Sequence, residues 1–367
     1  MGKFKKVFRR LEDPRAENAR HDLCEILFIA LAAMLCGAEG PSDMARFGRS
    51  KELLLRGILR LEHGVPSHDT FSRVFRVLDP RSFEQAFRRF MAAFAKFNRL
   101  DLTGVIAVDG KALRLAYERG CSATPLHMVN VFAVQARMAL ACVKAPGRNE
   151  ARGAVEVLQM LCLKHCTVTT DALHCNRPFA TTVLEAGADY VLALKQNQSK
   201  LYAAVAHCFA RGGKRSSTEQ LEPSTHDRRE WRRATVMRNL TLATSNNFSG
   251  IVAVGRITSR RRCRGGPADK PATRYYLLSK YISPKELLRI VRSHWSIENK
   301  MHWVLDVVFD EDASRSRKDN APENLAILRR LALNIVRSHP APFSMRQKIK
   351  SAGWDNSFLL GMLAHMR

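Results

Sequence analysis

The stretch VIAVDGK, residues 105–111, places an aspartate directly after a short apolar run, and TVTTDAL, residues 167–173, repeats the arrangement. Short runs rich in valine, isoleucine and threonine are typical of buried strands. Asp109 and Asp171 therefore each end a predicted strand. The ends of neighbouring parallel strands open into the crevice where ligands bind, so the surrounding fold decides whether these two aspartates meet.

Further strands and helices follow the first stretch in a regular order. The pattern predicts strands at 128–134 and 138–143, a helix at 150–163, the strand 167–170, a helix at 177–186 and a strand at 190–194. Three strands, then helix, strand, helix and strand is the order of the ribonuclease H-like fold. We therefore predict an α/β fold with a ribonuclease H-like core.

The chain is strongly basic. It has 60 lysines and arginines against 34 acidic residues, a net charge of +26 and a pI near 10.3. Such a charge creates a strong positive field, for which a nucleic acid partner is the economical explanation. A ribosome-associated or merely basic protein is the alternative.

No segment indicates export or a membrane. The most apolar run, 26–36, is too short to span a bilayer and predicts a buried helix. The first residues, MGKFKK, have no apolar stretch directly after the basic ones. We expect a cytoplasmic protein associated with the nucleoid.

The remaining segments divide the chain into predicted domains. The predicted division is a basic arm at 1–20, a helical N-terminal DNA-binding domain at 21–100, the core at 101–199 and 281–340, an inserted β subdomain at 200–280, and a C-terminal tail at 341–367. The insertion is polar and rich in arginine, with strands predicted at 234–237, 251–257 and 275–278.

Phosphodiester transfer by two divalent ions requires carboxylates that converge from different elements. Asp109 and Asp171 meet this requirement if their strands are neighbours, because adjacent strands lie about 5 Å apart. An aspartate after a strand also commonly begins a turn, so neither residue is decisive alone.

Glu298 is the third candidate carboxylate. At about 100° per residue, it shares a largely apolar helical stripe with Val291, His294, Met301 and Leu305. Burying an unpaired carboxylate costs several kcal/mol, and metal coordination offsets this cost. A buried ion pair with an arginine is the rival explanation. Three nearby acids compete for the role, namely Asp306, Asp310 and Asp312.

Basic residues at several places are candidates for contacts with DNA phosphates. They are Arg73 and Arg76 on a predicted helix, Lys111, Arg114 and Lys195 just beyond the acid-bearing strands, and Arg260, Arg261 and Arg262 in the insertion. In the insertion, Arg264 follows with Gly265 and Gly266, and glycine lets a backbone approach a partner closely. An ordinary solvated surface carries the same residue types.

Nine cysteines are scattered without the spacing of a disulfide framework. The densest cluster, Cys162, His165, Cys166, His174 and Cys175, fits no standard zinc pattern. We interpret these as core cysteines.

Longer motifs run through the chain. They are AVDGKALR at 107–114, VTTDALHCNR at 168–177, DYVLALKQNQ at 189–198, RYYLLS at 274–279 and HWSIENKMHWVLDVVFDEDASR at 294–315. SHDTFSRVF at 67–75 and NAPENLAILRRLALN at 320–334 belong to the same set, and the resemblance that these motifs carry extends over almost the whole chain. The sequence resembles the bacterial insertion-sequence transposases that include the H-repeat-associated proteins.

The resemblance implies a DDE transposase that cleaves DNA and transfers strands of its own insertion sequence with two Mg²⁺ or Mn²⁺ ions. The three acids of that family correspond to Asp109, Asp171 and Glu298. The implied partner is double-stranded DNA, both element ends and target, and we expect a homodimer on that DNA.

The sequence departs from related patterns at a few positions. His294 stands where a larger related group has an arginine, which makes it a candidate phosphate contact. Gln196 and Asp227 replace glycines of the family, and Asp227 adds an acid among arginines. Trp295 and Trp303 are candidates for stacking on an unpaired base, although tryptophans at helical spacing more often belong to a core.

Two other functions use the same residues. One is a catalytically silent DNA-binding protein derived from a transposase, against which the presence of all three acids argues. The other is a nuclease without strand transfer, which only its products distinguish.

Overall fold

The computed structural model describes residues 2–117, 124–211, 215–221, 228–238, 241–245, 247–263 and 269–364. Its centre is a nine-stranded mixed sheet with the order β3-β2-β1-β4-β5-β9-β8-β7-β6. The strands are β1 Gly104–Tyr117, β2 Pro125–Ala133, β3 Met138–Lys144, β4 Cys166–Thr170, β5 Asp189–Leu194, β6 Arg215–Leu221, β7 Arg228–Arg238, β8 Ala253–Cys263 and β9 Ala272–Leu278.

Helices precede the sheet and cover it. Before β1 lie α1 Gly2–Phe8, α2 Leu23–Leu35, α3 Pro41–Ser50, α4 Glu52–Arg56, α5 His68–Val77 and α6 Pro80–Phe97. After β3 lie α7 Glu150–Gln159, α8 Arg177–Glu185, α9 Ser199–Arg211, α10 Thr241–Ser245, α11 Pro284–His294, α12 Trp303–Val308, α13 Ala321–Ser338, α14 Met345–Trp354 and α15 Asn356–Ala364. In the part of the chain that the structure describes, no helix is both long and apolar enough to cross a membrane.

The strands of the first half pair as a hairpin sheet followed by parallel strands. β2 runs antiparallel to both β1 and β3, whereas β1, β4 and β5 run parallel, joined by the crossover helices α7 and α8. These strands and helices confirm the elements predicted from the apolar pattern, with small shifts at most ends, but β1 continues well beyond the predicted end. The fold is therefore a mixed α/β fold with a helical N-terminal region.

The two faces of β1 pack against different helices. Val105 lies in a buried cluster with Leu287 of α11, and its neighbour Ile106 lies in the main core with Val157 of α7. Because successive side chains of a strand point to opposite faces, Asp109 shares the face of Val105. The face covered by α11 is therefore the one that carries the acidic residue.

The segment predicted as an inserted β subdomain is continuous with the core sheet. Its strands β7, β8 and β9 include the predicted ones, but β9 pairs antiparallel with β5, so the insertion continues the core sheet. An unpaired strand edge exposes backbone donors and acceptors, and β9 satisfies those of β5. β6, with the polar sequence RSSTEQL, was missed because it has no apolar alternation. Asp227, Arg264, Gly265 and Gly266 lie outside the described residues.

Both ends of the chain are more ordered than predicted. The expected arm at 1–20 contains α1, whose Phe4 and Phe8 are buried and contact Phe28 and Phe90. Two phenylalanines four residues apart form one helical face, and this spacing was overlooked. The expected tail at 341–367 contains α14 and α15, which both pack against α2.

Candidate active site

The parallel pairing of β1 and β4 places two aspartates side by side. Val108 pairs with Thr170, so the next residue on each strand, Asp109 and Asp171, follows the last pair at the same end. The prediction that a strand ends at Asp109 is wrong, because β1 continues to Tyr117 in pairing with β2 alone. The crevice opens where β4 turns away, and both aspartates line it.

Glu298 approaches the aspartates from the helical segment above this face. It begins a π-helical turn, Glu298–His302, that lies between α11 and α12. π turns are rare and occur frequently at functional sites. Ser283 caps the start of α11 by accepting a hydrogen bond from the Glu286 backbone at 3.1 Å. Glu298 lines the same pocket as the two aspartates.

Glu298 was expected to be a buried carboxylate, and this expectation is wrong. Its side chain is 52% exposed, because the carboxylate lies at the solvent side of the pocket rather than inside an apolar face. The unbroken α-helix assumed for the stripe is also replaced by the π turn. The position of Glu298 is therefore explained by the pocket that it lines, not by the cost of burial.

His302 is a site residue that the sequence analysis missed. Its Nδ1 lies 3.6 Å from Asp109 Oδ2 and 3.6 Å from Glu298 Oε2, and the side chain is buried. Among the described residues, Asp109, Glu298 and His302 form the one group whose potential metal-ligand atoms all lie within 4.8 Å of one another. Asp171 lines the pocket but is not part of this group. Because residues four apart share a helical face, the spacing from Glu298 was a usable signal.

The electrostatics of the acids reflect their crowding. Burial, together with the negative charges of Glu298 and Asp171, raises the pKa of Asp109 to about 8. The contact with His302 lowers the pKa of Glu298. A site that resists accumulating negative charge is one in which a bound cation is stabilising.

Basic and aromatic side chains complete the pocket, whose volume is about 270 Å³. Lys195 and Arg274 bring positive charge to it, and Trp295 lines it with its side chain half exposed. Burial lowers the pKa of His294 to about 4, so the ring carries no charge at neutral pH. The pocket thus combines acidic side chains suited to a cation with basic side chains suited to an anion.

Lys111 does not occupy the position predicted for a phosphate contact. It lies inside β1, is buried, and its amine is 2.7 Å from Asp306 and 3.0 Å from Asp312. Arg114 also contacts Asp312, at 3.2 Å, but its side chain is 83% exposed. The acids Asp306 and Asp312, which competed with Glu298 in sequence, are therefore engaged with basic residues of β1.

The other predicted DNA contacts lie outside the pocket. Arg73 is exposed on α5, and Arg76 of the same helix forms an ion pair with Asp319 at 2.8 Å. Three arginines at the end of β8 are exposed, namely Arg260, Arg261 and Arg262. The middle one, Arg261, lies 3.4 Å from Glu230. Trp303 is largely exposed rather than part of the core.

The cysteine and histidine cluster of 162–175 is not a metal site among the described residues. Cys166 and Cys175 are buried in the core, Cys162 is exposed, and His174 packs beside Phe179. The interpretation of core cysteines holds for Cys166 and Cys175 but is wrong for the exposed Cys162.

Taken together, two aspartates that follow the last pair of neighbouring parallel strands, opposed by a glutamate and a histidine from a helix, define a protein class with a site suited to divalent metal ions. The chain belongs to the transposase DDE domain family. The model of that family matches residues 101–335, and the DDE_Tnp_1-associated model matches residues 5–91. The family matches therefore cover the core with its insertion and most of the helical N-terminal region.

Named relatives agree with the family. The chain is 31% identical over 331 residues to "Putative transposase YncI" of Escherichia coli O157:H7, covering 87% of this chain and 83% of the relative. It is 29% identical over 356 residues to "H repeat-associated putative transposase YhhI" of Escherichia coli strain K12, covering 95% and 93%. The resemblance to the H-repeat-associated proteins is confirmed.

Among solved structures, the cryo-EM structure of the piggyBac transposase synaptic complex with hairpin DNA is similar at a TM-score of 0.42 and 13% identity. The match covers 98% of this chain and 77% of that one.

Proposed function

We propose that this protein is a DNA transposase that cleaves double-stranded DNA at the ends of an insertion sequence and joins those ends to target DNA. The observation that carries the proposal is the convergence of Asp109, Asp171 and Glu298 in one pocket of a chain that belongs to the transposase DDE domain family. These are the three acids expected from the sequence. We assign them the catalytic and metal-binding roles.

The architecture supports a ribonuclease H-like core. The order β3-β2-β1-β4-β5, with β2 antiparallel to its neighbours and β1, β4 and β5 parallel, is the strand order of that fold. We assign 101–199 and 281–340 to this core, 200–280 to the insertion and 21–100 to a DNA-binding domain.

The donor set of the pocket suits Mg²⁺ or Mn²⁺, because both prefer carboxylate oxygens. The raised pKa of Asp109 supports the same fit, since a cation would offset the crowding of negative charge there. Asp109, Asp171 and Glu298 would hold two ions. When bound, such ions supply activation of the attacking oxygen and stabilisation of the leaving oxygen.

The other side chains of the pocket would bind and orient the DNA. Lys195 and Arg274 would neutralise the phosphate, and His294 would donate one hydrogen bond from a neutral ring. The half-exposed Trp295 offers a surface on which an unpaired base could stack. Because Lys111 is buried among acids, we no longer assign it to DNA.

The wider contact surface in this proposal comes from exposed arginines. It comprises Arg73 on α5, Arg114 on β1, and Arg260, Arg261 and Arg262 on β8. Arg76 would join this surface when its ion pair with Asp319 breaks. A homodimer in the nucleoid would bring two such surfaces to the element ends.

The proposal is tested with a labelled DNA fragment that carries the ends of the element, a supercoiled target plasmid and Mg²⁺. A transposase exposes a 3′ hydroxyl and then uses it as the nucleophile, so the labelled end becomes covalently joined to the target. Cutting without joining would identify a nuclease. A gel shift without cutting would identify a silent DNA-binding protein and overturn the enzyme assignment.

Substitutions of the three acids provide the matched controls. Asp109→Asn, Asp171→Asn and Glu298→Gln each remove a ligand charge worth several kcal/mol to the transition state, so cleavage should fall roughly a thousandfold or more. DNA binding, measured by gel shift, should remain because the basic surface is unchanged. A variant that cuts at the wild-type rate would remove its residue from the site.

A further inference from the structure

The position of His302 is not accounted for by the three acids. The ring is buried on the π turn, and its Nδ1 is equidistant, at 3.6 Å, from one oxygen of Asp109 and one of Glu298. A hydrogen bond between nitrogen and oxygen is normally 2.7–3.2 Å long. The nitrogen therefore lies between two carboxylates without hydrogen bonding to either.

The second ring nitrogen supports the same view. Nε2 of His302 is buried and has no hydrogen-bond partner among the described residues. An ion bound at Nδ1 would leave the proton on Nε2, so this orphan nitrogen shows only that no described group holds the ring from its other side. A ring with no hydrogen bond at either nitrogen, placed between two carboxylates, is arranged as a ligand rather than as a structural support.

The spacing of the three donor atoms fits a shared ion. They all lie within 4.8 Å of one another. Ligands around an octahedral ion at about 2.1 Å are roughly 3 Å apart when adjacent and about 4.2 Å apart when opposite. Glu298 and His302 are four residues apart, so they lie on the same side of the helical segment, facing Asp109.

We propose that His302 supplies a nitrogen ligand to a divalent ion held by Asp109 and Glu298, which makes this position selective for a transition ion over Mg²⁺. The inference rests on the proposed function and adds to it a difference between the two metal positions. Imidazole suits first-row transition ions, whereas Mg²⁺ takes oxygen ligands. The other position, between Asp109 and Asp171, offers oxygen only and accepts Mg²⁺ equally well.

The test uses Mn²⁺ as the probe, bound to the full-length protein without DNA. Electron spin echo envelope modulation of the wild-type protein with one equivalent of Mn²⁺ should show coupling to a nitrogen nucleus. The coupling should change to that of ¹⁵N when the protein is grown with ¹⁵N-labelled histidine. This measurement needs no substitution and so does not depend on a variant that folds.

Two matched substitutions identify the histidine. His302→Gln should abolish the nitrogen coupling and weaken Mn²⁺ binding about tenfold or more, with a smaller loss for Mg²⁺, as measured by calorimetry. His294→Gln, which changes the other histidine near the acids, should retain the coupling. Circular dichroism of both metal-free variants verifies that they fold.

The outcomes separate the inference from the proposed function. Nitrogen coupling that is absent in the wild type, or that persists in His302→Gln, overturns the inference, even if the protein transfers strands normally. Nitrogen coupling lost only in His302→Gln supports it, even if no strand transfer is detected. Equal losses of Mn²⁺ and Mg²⁺ affinity in His302→Gln would overturn the claim of selectivity.

Discussion

Gly110, directly after Asp109, has no room for a side chain. A Cβ at this position would overlap the carboxylate of Glu150, and that carboxylate is held by His127 Nδ1 at 2.6 Å. The glycine in the VDGK motif is therefore explained by a close contact with Glu150 rather than by an unusual backbone angle.

Gly110→Ala should destabilise the protein, because Glu150 must leave His127 or β1 must move. We expect a loss of about 1–3 kcal/mol, the usual cost of overpacking, in the free energy of unfolding measured with urea. Glu150→Ala in the same background removes the obstacle and should recover part of the loss. A double variant whose losses simply add would show that the two residues do not interact.

Asp109 also makes the metal-free protein sensitive to pH. Its pKa of about 8 in the folded state exceeds the value of about 3.9 for an unfolded chain. The folded state therefore binds this proton more tightly, and stability falls as the pH rises from about 4 to about 8.

Asp109→Asn removes this dependence because the amide stays neutral. In EDTA, the melting temperature of the variant should exceed that of the wild type, and the difference should widen between about pH 5 and pH 8. Glu62→Gln, which changes a side chain 70% exposed, serves as the control and should show no such trend. A difference that stays constant with pH would contradict the prediction.

At the scale of elements, a buried ion pair joins α13 to the loop after α12. Arg330 and Glu311 are both fully buried and bonded to each other, and Arg330 Nε donates to Asn130 at 2.8 Å. Asn130 is the β2 partner of Asp109 in the strand register. The pair thus lies one strand away from the active site and fixes the sheet against the helices.

Glu311→Gln should be strongly destabilising, because it leaves the buried charge of Arg330 without its partner. The expected cost is about 3–5 kcal/mol in the free energy of unfolding. Arg114→Ala, which breaks the exposed contact with Asp312, should cost no more than about 1 kcal/mol. Similar small costs for both variants would show that burial does not strengthen the first pair.

At the scale of the whole molecule, the net charge of +26 should make DNA binding depend steeply on salt. Each phosphate neutralised releases counterions and adds about 0.9 to the slope of log affinity against log salt. The triple substitution of Arg260, Arg261 and Arg262 by alanine should therefore lower the slope by about 2–3, measured by fluorescence anisotropy.

A control with the same change in net charge separates local contact from overall charge. Arg56, Arg152 and Arg289 are each paired with a glutamate on their own helix, so their triple substitution by alanine should leave the slope nearly unchanged. Equal reductions in the two triple variants would mean that the arginines of β8 do not contact DNA.

Features that depend on a local pattern of residues could be predicted from the sequence. An apolar run at 105–108 and a run of threonine and valine at 167–170 predicted the strands before Asp109 and Asp171. Family motifs around Glu298 predicted the family. These features follow from residues close together in the chain, because strand alternation acts over a few residues.

Features that depend on residues far apart in the chain became visible only in the folded structure. Lys111 is a plausible phosphate contact in the sequence, but folding places Asp306 beside it, and β9 of the insertion pairs with β5 of the core. His302 joins the site because folding brings the segment that carries it close to Asp109. Ion pairs, sheet edges and metal sites join residues far apart in the chain, and their partners are fixed by the closure of the fold rather than by local pattern.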